Sequence, residues 1–137
     1  MQREFFHEQR YGGVVEAVYV FLGGGAGAVL RYWLGGAVHR VAGADFPYGT
    51  LLVNALGSLL IGLLMALFEQ RFVVQPAVRL LLTIGFLGGF TTFSTFSYET
   101  LALLRDGVYV AAALNIALTL LLCLATVWLG HTLGTLL

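Results

Sequence analysis

The chain has 137 residues, of which 59% are apolar and only 10% charged, and its mean hydropathy is +0.91. Average soluble domains carry about 25% charged residues, so this chain lacks the polar side chains needed to clothe a water-facing surface. Seven arginines, with no lysine, balance seven acids, which leaves no basic excess for a nucleic-acid partner. The lone Cys123 permits neither an internal disulfide nor a cysteine-rich metal site.

Residues 1–13 read as a polar, charge-mixed arm. It holds acids ahead of a long apolar stretch, unlike a cleavable leader. Residues 14–137 read as one domain of four membrane spans, each near the roughly 20 apolar residues that a bilayer core requires. The first runs from about Val14 to Val38, interrupted by Glu16 and Arg31. The second lies between Asp45 and Glu69, the third between Arg79 and Glu99, and the fourth between Asp106 and His131. Short connections fall near 40–46, 69–77 and 105–107, with Pro47 and Pro76 where helices begin, positions at which a missing N–H is harmless. The 18 glycines point to close helix–helix contact in lipid. With four spans, Arg3, Arg10, Arg71 and Arg79 share one side of the membrane, and Arg40, Arg105 and a snorkelling Arg31 share the other. So balanced a count is compatible with insertion in either direction.

Polar residues inside the spans carry the chemistry. In GGGAGAVLRYW (23–33), Gly23, Gly27 and Arg31 form one stripe of a helix, which reads as a packing groove and as a cation at the mouth of an anion path. In PYGTLLVNALGS (47–58), Thr50, Asn54 and Gly57 share a face. A buried asparagine must satisfy its amide, so it bridges helices or lines a wet path, and its neighbours favour the path. The third span reads GFLGGFTTFSTFSYE (85–99), poor helix material because glycine and β-branched residues both weaken the α conformation. A break is therefore expected between Gly88 and Ser94, placed inside protein or around an ion. Phe93 and Phe96 project from one face just beyond it, and the positive edge of an aromatic ring can hold an anion. In the fourth span, Asn115, Thr119, Cys123 and Thr126 form a polar seam directed at a partner helix or the path. Enzyme chemistry finds no support: His7, His39 and His131 lack metal-ligand spacing, and Ser94 and Ser97 have no histidine nearby in sequence.

GGGAGAVLRYW, PYGTLLVNALGS and above all GFLGGFTTFSTFSYE resemble the Fluc (CrcB) family of small bacterial and archaeal fluoride channels, over roughly Leu22 to Leu133. The resemblance implies an all-α membrane protein of four helices per subunit with a break in the third, assembled as an antiparallel, dual-topology homodimer with two pores. It implies that Phe93 and Phe96 meet fluoride with their ring edges, that Asn54 donates to the ion, and that Thr50 lies nearer a vestibule marked by Arg31. The carbonyls of Gly88 and Thr91 would hold a structural sodium ion at the dimer centre. On the fourth helix, Asn115 and Thr119 stand where the family places a tyrosine and then a serine. Ser94 and Thr95 add hydroxyl donors to the path.

These residue types suit fluoride on their own account. The ion is small and strongly hydrated, so a selective path must replace water by short hydrogen bonds, and weak sequential sites let it leave. The implied activity is passive export through the plasma (inner) membrane, with fluoride, lipid and a second copy of the chain as partners. A small dual-topology multidrug exporter is the alternative. It needs a carboxylate well inside a span, whereas Glu16, Glu69 and Glu99 read as lying near span ends.

Overall fold

A computed structural model describes residues 13–70 and 73–137. The polar arm, apart from Gly13, and Arg71 lie outside the described residues. Among the described residues, six α-helices and one π-helical segment follow in order: α1 (Val14–Ala42), α2 (Tyr48–Gln70), α3 (Pro76–Leu80), the π-helix (Leu81–Leu87), α4 (Gly88–Phe90), α5 (Phe93–Arg105) and α6 (Tyr109–Leu136). They make four membrane-length spans, α1, α2, Pro76–Arg105 and α6, so the protein is an all-helical, multi-pass membrane protein. The helices overrun the apolar stretches, because Arg40, Glu69 and Arg105 continue their last turns into the polar zone. Proline stands at both expected starts: Pro47 accepts from Leu51 N–H ahead of α2, and Pro76 opens α3. Gly43 and Gly107 end helices with φ of 87° and 76°, a backbone state that a side chain would strain.

The third span is broken where expected, though more narrowly and with a loosening upstream. Only Thr91 and Thr92 leave the helix, both extended, so Gly88–Phe90 and Phe93–Ser94 stay helical within the predicted interval. The π-helix before the break was not legible in the composition of LLTIGFL. It closes on Gly88, whose N–H reaches the Thr83 carbonyl five residues back as well as Gly85.

That widened turn presses on α1 through glycines. A Cβ on Gly23 would collide with the Leu81 carbonyl, one on Gly27 with the Phe86 carbonyl, and one on Gly89 with the Gly24 carbonyl. The Gly23 and Gly27 stripe is thus a backbone-to-backbone seam. A second seam joins α2 to α6, where a Cβ on Gly62 would meet the Val127 carbonyl and one on Gly130 the Leu59 carbonyl. In lipid no hydrophobic force draws helices together, so close approach and hydrogen bonds carry the fold. The interior reflects this. Among the described residues, the buried set holds Asn54, Thr83, Thr92, Thr100, Asn115 and Thr119 beside Val53, Ala66, Leu87, Phe90, Phe96 and Ala112. Large apolar side chains such as Phe21, Trp33, Leu121 and Trp128 lie on the outside.

Candidate functional site

The break is organised by Asn54. Its Oδ1 accepts the Thr92 N–H at 2.8 Å, and its Nδ2 donates to the Thr92 carbonyl at 3.0 Å. One side-chain amide thus serves both polar groups of the extended residue, which answers the demand that loosened backbone in a membrane be satisfied. Of the two roles the sequence left to Asn54, the bridging one is directly visible: it joins α2 to the break.

Thr92, which the sequence reading passed over, is the second organiser. It caps α5: its Oγ1 accepts the Thr95 N–H at 3.2 Å and donates to Thr95 Oγ1 at 2.9 Å, with Ser94 Oγ 3.3 Å away. The signal was present, since a threonine three residues before a polar side chain is an N-terminal capping pattern. These diversions matter for the carbonyls upstream. In an unbroken α-helix the Thr92 N–H would serve the Gly88 carbonyl, and the Thr95 N–H that of Thr91. Here those donors go to Asn54 and to the Thr92 hydroxyl, so both carbonyls are released at the break. Gly88 is exposed, and Thr91 turns its own hydroxyl back to the Leu87 carbonyl at 3.0 Å.

A cavity of about 440 Å³ opens beside this break, lined by Arg31 and Tyr32 from α1, Thr50 and Val53 from α2, and Thr92 and Thr95. Three of the expected residues, Arg31, Thr50 and Thr95, therefore meet around one space. Thr50 Oγ1 donates to Glu99 Oε1 at 2.8 Å, while Glu99 Oε2 is buried with no partner among the described residues. The spacing of charges had put Glu99 near a span end. The structure keeps it on α5 level with Thr50 in the first turn of α2, in line with that expectation, while α5 itself runs on to Arg105.

Phe93 and Phe96 pair at a centroid distance of 5.3 Å with their planes tilted by 49°. They differ in surroundings: Phe96 is 6% exposed and Phe93 74%. Ser94 is exposed beside Phe93. Asn115 and Thr119 share one buried face of α6, as the seam predicted, but neither lines the cavity. Asn115 Nδ2 donates to Thr100 Oγ1 at 2.9 Å, and the Thr119 hydroxyl is buried with no partner among the described residues. Further along, Cys123 and Thr126 are half-buried, and Thr126 donates to the Cys123 carbonyl.

Three features recur together here: a clamped break, a polar interior, and an arginine-lined cavity. Comparison with known proteins shows the family. The family model described as "CrcB-like protein, Camphor Resistance (CrcB)" matches residues 18–131. A relative from Geobacter sulfurreducens named "Fluoride-specific ion channel FluC" is 52% identical over 114 residues, covering 83% of this chain and 90% of the relative. One of the same name from Citrifermentans bemidjiense is 47% identical over 115 residues, covering 84% of this chain and 93% of the relative. A third, from Methylococcus capsulatus, is 48% identical over 115 residues, and there the chain spans about half of the relative's length (50%). The chain belongs to the CrcB family.

Proposed function

We propose that this protein is a fluoride-selective, passive ion channel of the plasma membrane and not an enzyme. The observation that carries the reading is the Asn54-clamped break opening beside the Arg31 cavity, in a chain whose relatives are named fluoride-specific ion channels. Arg31 raises the local anion concentration at the mouth, and the hydroxyls of Thr50 and Thr95 take over part of the ion's hydration. Deeper in, fluoride meets the second N–H of Asn54, the hydroxyls of Ser94 and Thr119, and the ring edges of Phe93 and Phe96. The first turn of α5 points its backbone N–H groups into the break, which favours an anion there. Hydrogen fluoride crosses lipid uncharged and dissociates inside the cell. A membrane potential negative inside then drives the ion out with about 2.3 kcal/mol per 100 mV. No coupled proton is needed. The multidrug-exporter alternative needs a carboxylate well inside a span, whereas Glu99 pairs with Thr50 in the first turn of α2.

The channel is read as an antiparallel homodimer. A single subunit leaves Phe93 and the exposed Gly88 at its surface, where a second copy would cover them, and the balanced arginines suit insertion both ways. The released carbonyls of Gly88 and Thr91 fit a sodium ion. They are hard oxygen donors, and the described residues hold no cluster of histidine, cysteine and carboxylate that would favour a softer metal. Bound there, sodium supplies a fixed positive charge that lowers the barrier to an anion in a low-dielectric site.

Purified protein in liposomes is expected to release fluoride and not chloride, with efflux impaired when sodium is replaced by a bulky organic cation. Equal halide fluxes, or none, would overturn the channel reading, and indifference to the cation would remove the sodium. Phe93→Ile should lower fluoride efflux while the protein keeps its elution volume in detergent, since Phe93 is largely uncovered within the subunit. Unchanged efflux in that variant would take Phe93 out of the path.

A further inference from the structure

Among the described residues, three side-chain ties hold α5 and its cap to the rest of the subunit: Asn54 to Thr92, Thr50 to Glu99, and Asn115 to Thr100. The first two come from α2, and only the third comes from α6. It is also the most deeply enclosed, Asn115 being 1% exposed and Thr100 8%. Thr100 passes the contact on. Its Oγ1 accepts from Asn115 Nδ2 at 2.9 Å and donates to the Phe96 carbonyl at 2.8 Å. The chain of bonds therefore runs from α6 to the backbone of the buried member of the aromatic pair.

We propose that Asn115 is a positioning residue for Phe96, acting through the Thr100 hydroxyl, and not itself a ligand of the permeating ion. The inference rests on the channel reading above. Asn115 is 1% exposed, enclosed by the subunit's own side chains, and its amide donates to a hydroxyl whose own proton is already committed. A hydroxyl in both roles fixes the rotation of α5 about its axis, because it must face α6 and reach back one turn at once. Both rings, paired at 5.3 Å, ride on α5, so the tie sets the direction in which the pair faces. Without it, α5 can roll on its two α2 contacts and turn the buried Phe96, with its partner ring, away from its present surroundings.

The test is a double-mutant cycle on fluoride efflux and on fluoride-over-chloride selectivity in liposomes. Asn115→Leu and Thr100→Val should each lower efflux roughly three- to tenfold and admit more chloride, since the first removes the Asn115–Thr100 hydrogen bond and the second removes that bond together with the one to the Phe96 carbonyl. The double variant should be no worse than Thr100→Val alone, and Thr100→Ser, which keeps the hydroxyl, should match the wild type. Losses that multiply, or a Thr100→Val channel that conducts normally while Asn115→Leu does not, would overturn the proposal in favour of direct contact with the ion. Should Asn115→Leu fail to fold, the Thr100 pair decides: impairment in valine but not serine supports the tie, and equal behaviour refutes it. Wild-type efflux in the same vesicles tests the channel reading separately.

Discussion

Replacing Asn54 by aspartate is expected to lower fluoride efflux at least about a hundredfold, from two causes that act together. Aspartate can still accept the Thr92 N–H, but its second oxygen then faces the Thr92 carbonyl at the position where Nδ2 now donates over 3.0 Å. Two acceptors meet, so the clamp opens or the extended residue turns away, and the carbonyls released at the break lose their placement. The variant also sets a negative charge beside the ion's route. Like charges 4 Å apart repel by about 4 kcal/mol at an effective dielectric constant near 20, close to a thousandfold in occupancy. A fluoride electrode recording efflux from proteoliposomes reads the result, with gel filtration in detergent showing whether the fold survives. Efflux within a few-fold of wild type would mean that the ion does not pass near Asn54.

Gly27→Ala is expected to destabilise the protein by about 3 kcal/mol, the upper end for overpacking a close contact. The added Cβ would lie on the Phe86 carbonyl and 2.8 Å from the Phe90 nitrogen. Both are backbone atoms, so no side chain can swing aside; α1 must separate from the π-helix. Gly25 provides the control, since a Cβ there meets nothing within 4 Å, and alanine should add about 0.5–1 kcal/mol of helix propensity. Thermal unfolding in detergent, followed by loss of the gel-filtration peak, should place Gly27→Ala several degrees below wild type and Gly25→Ala at or above it. Equal midpoints for the two variants would mean that the glycine seam is not what holds α1 in place.

Most of the architecture was legible in the sequence because the membrane makes hydropathy decisive. Charges from Glu16 to His131 bracket the spans, and the glycine and hydroxyl run in GFLGGFTTFSTFSYE marks the break. What stayed hidden was the geometry that follows from tertiary contact. The π-helix over Leu81–Leu87 arises where Gly85 and Gly89 press on α1, and nothing in its own residues demands it. Thr92 looked like one hydroxyl among several, and becomes the cap only because Asn54 holds its backbone extended. Glu99 was expected near a span end, and it does lie level with the first turn of α2; that Thr50 would be its partner there could not be read from the spacing of charges. Asn115 and Thr119 were correctly grouped on one face, but which neighbour each would meet depends on how α5 is rotated against α6.

The divided third crossing also bears on the order in which the protein matures. α5 has 13 residues, about 20 Å of helix, too short to traverse a bilayer core of roughly 30 Å unaided. Entering the bilayer as one continuous rod would let Pro76–Arg105 cross before the break forms, although it is less apolar than α2 or α6. By then α2 has already left the ribosome, carrying Asn54 with it. Melting of the rod at Thr91 and Thr92 can thus wait until a ready-made amide is alongside, so that no bare peptide group need face acyl chains during biogenesis.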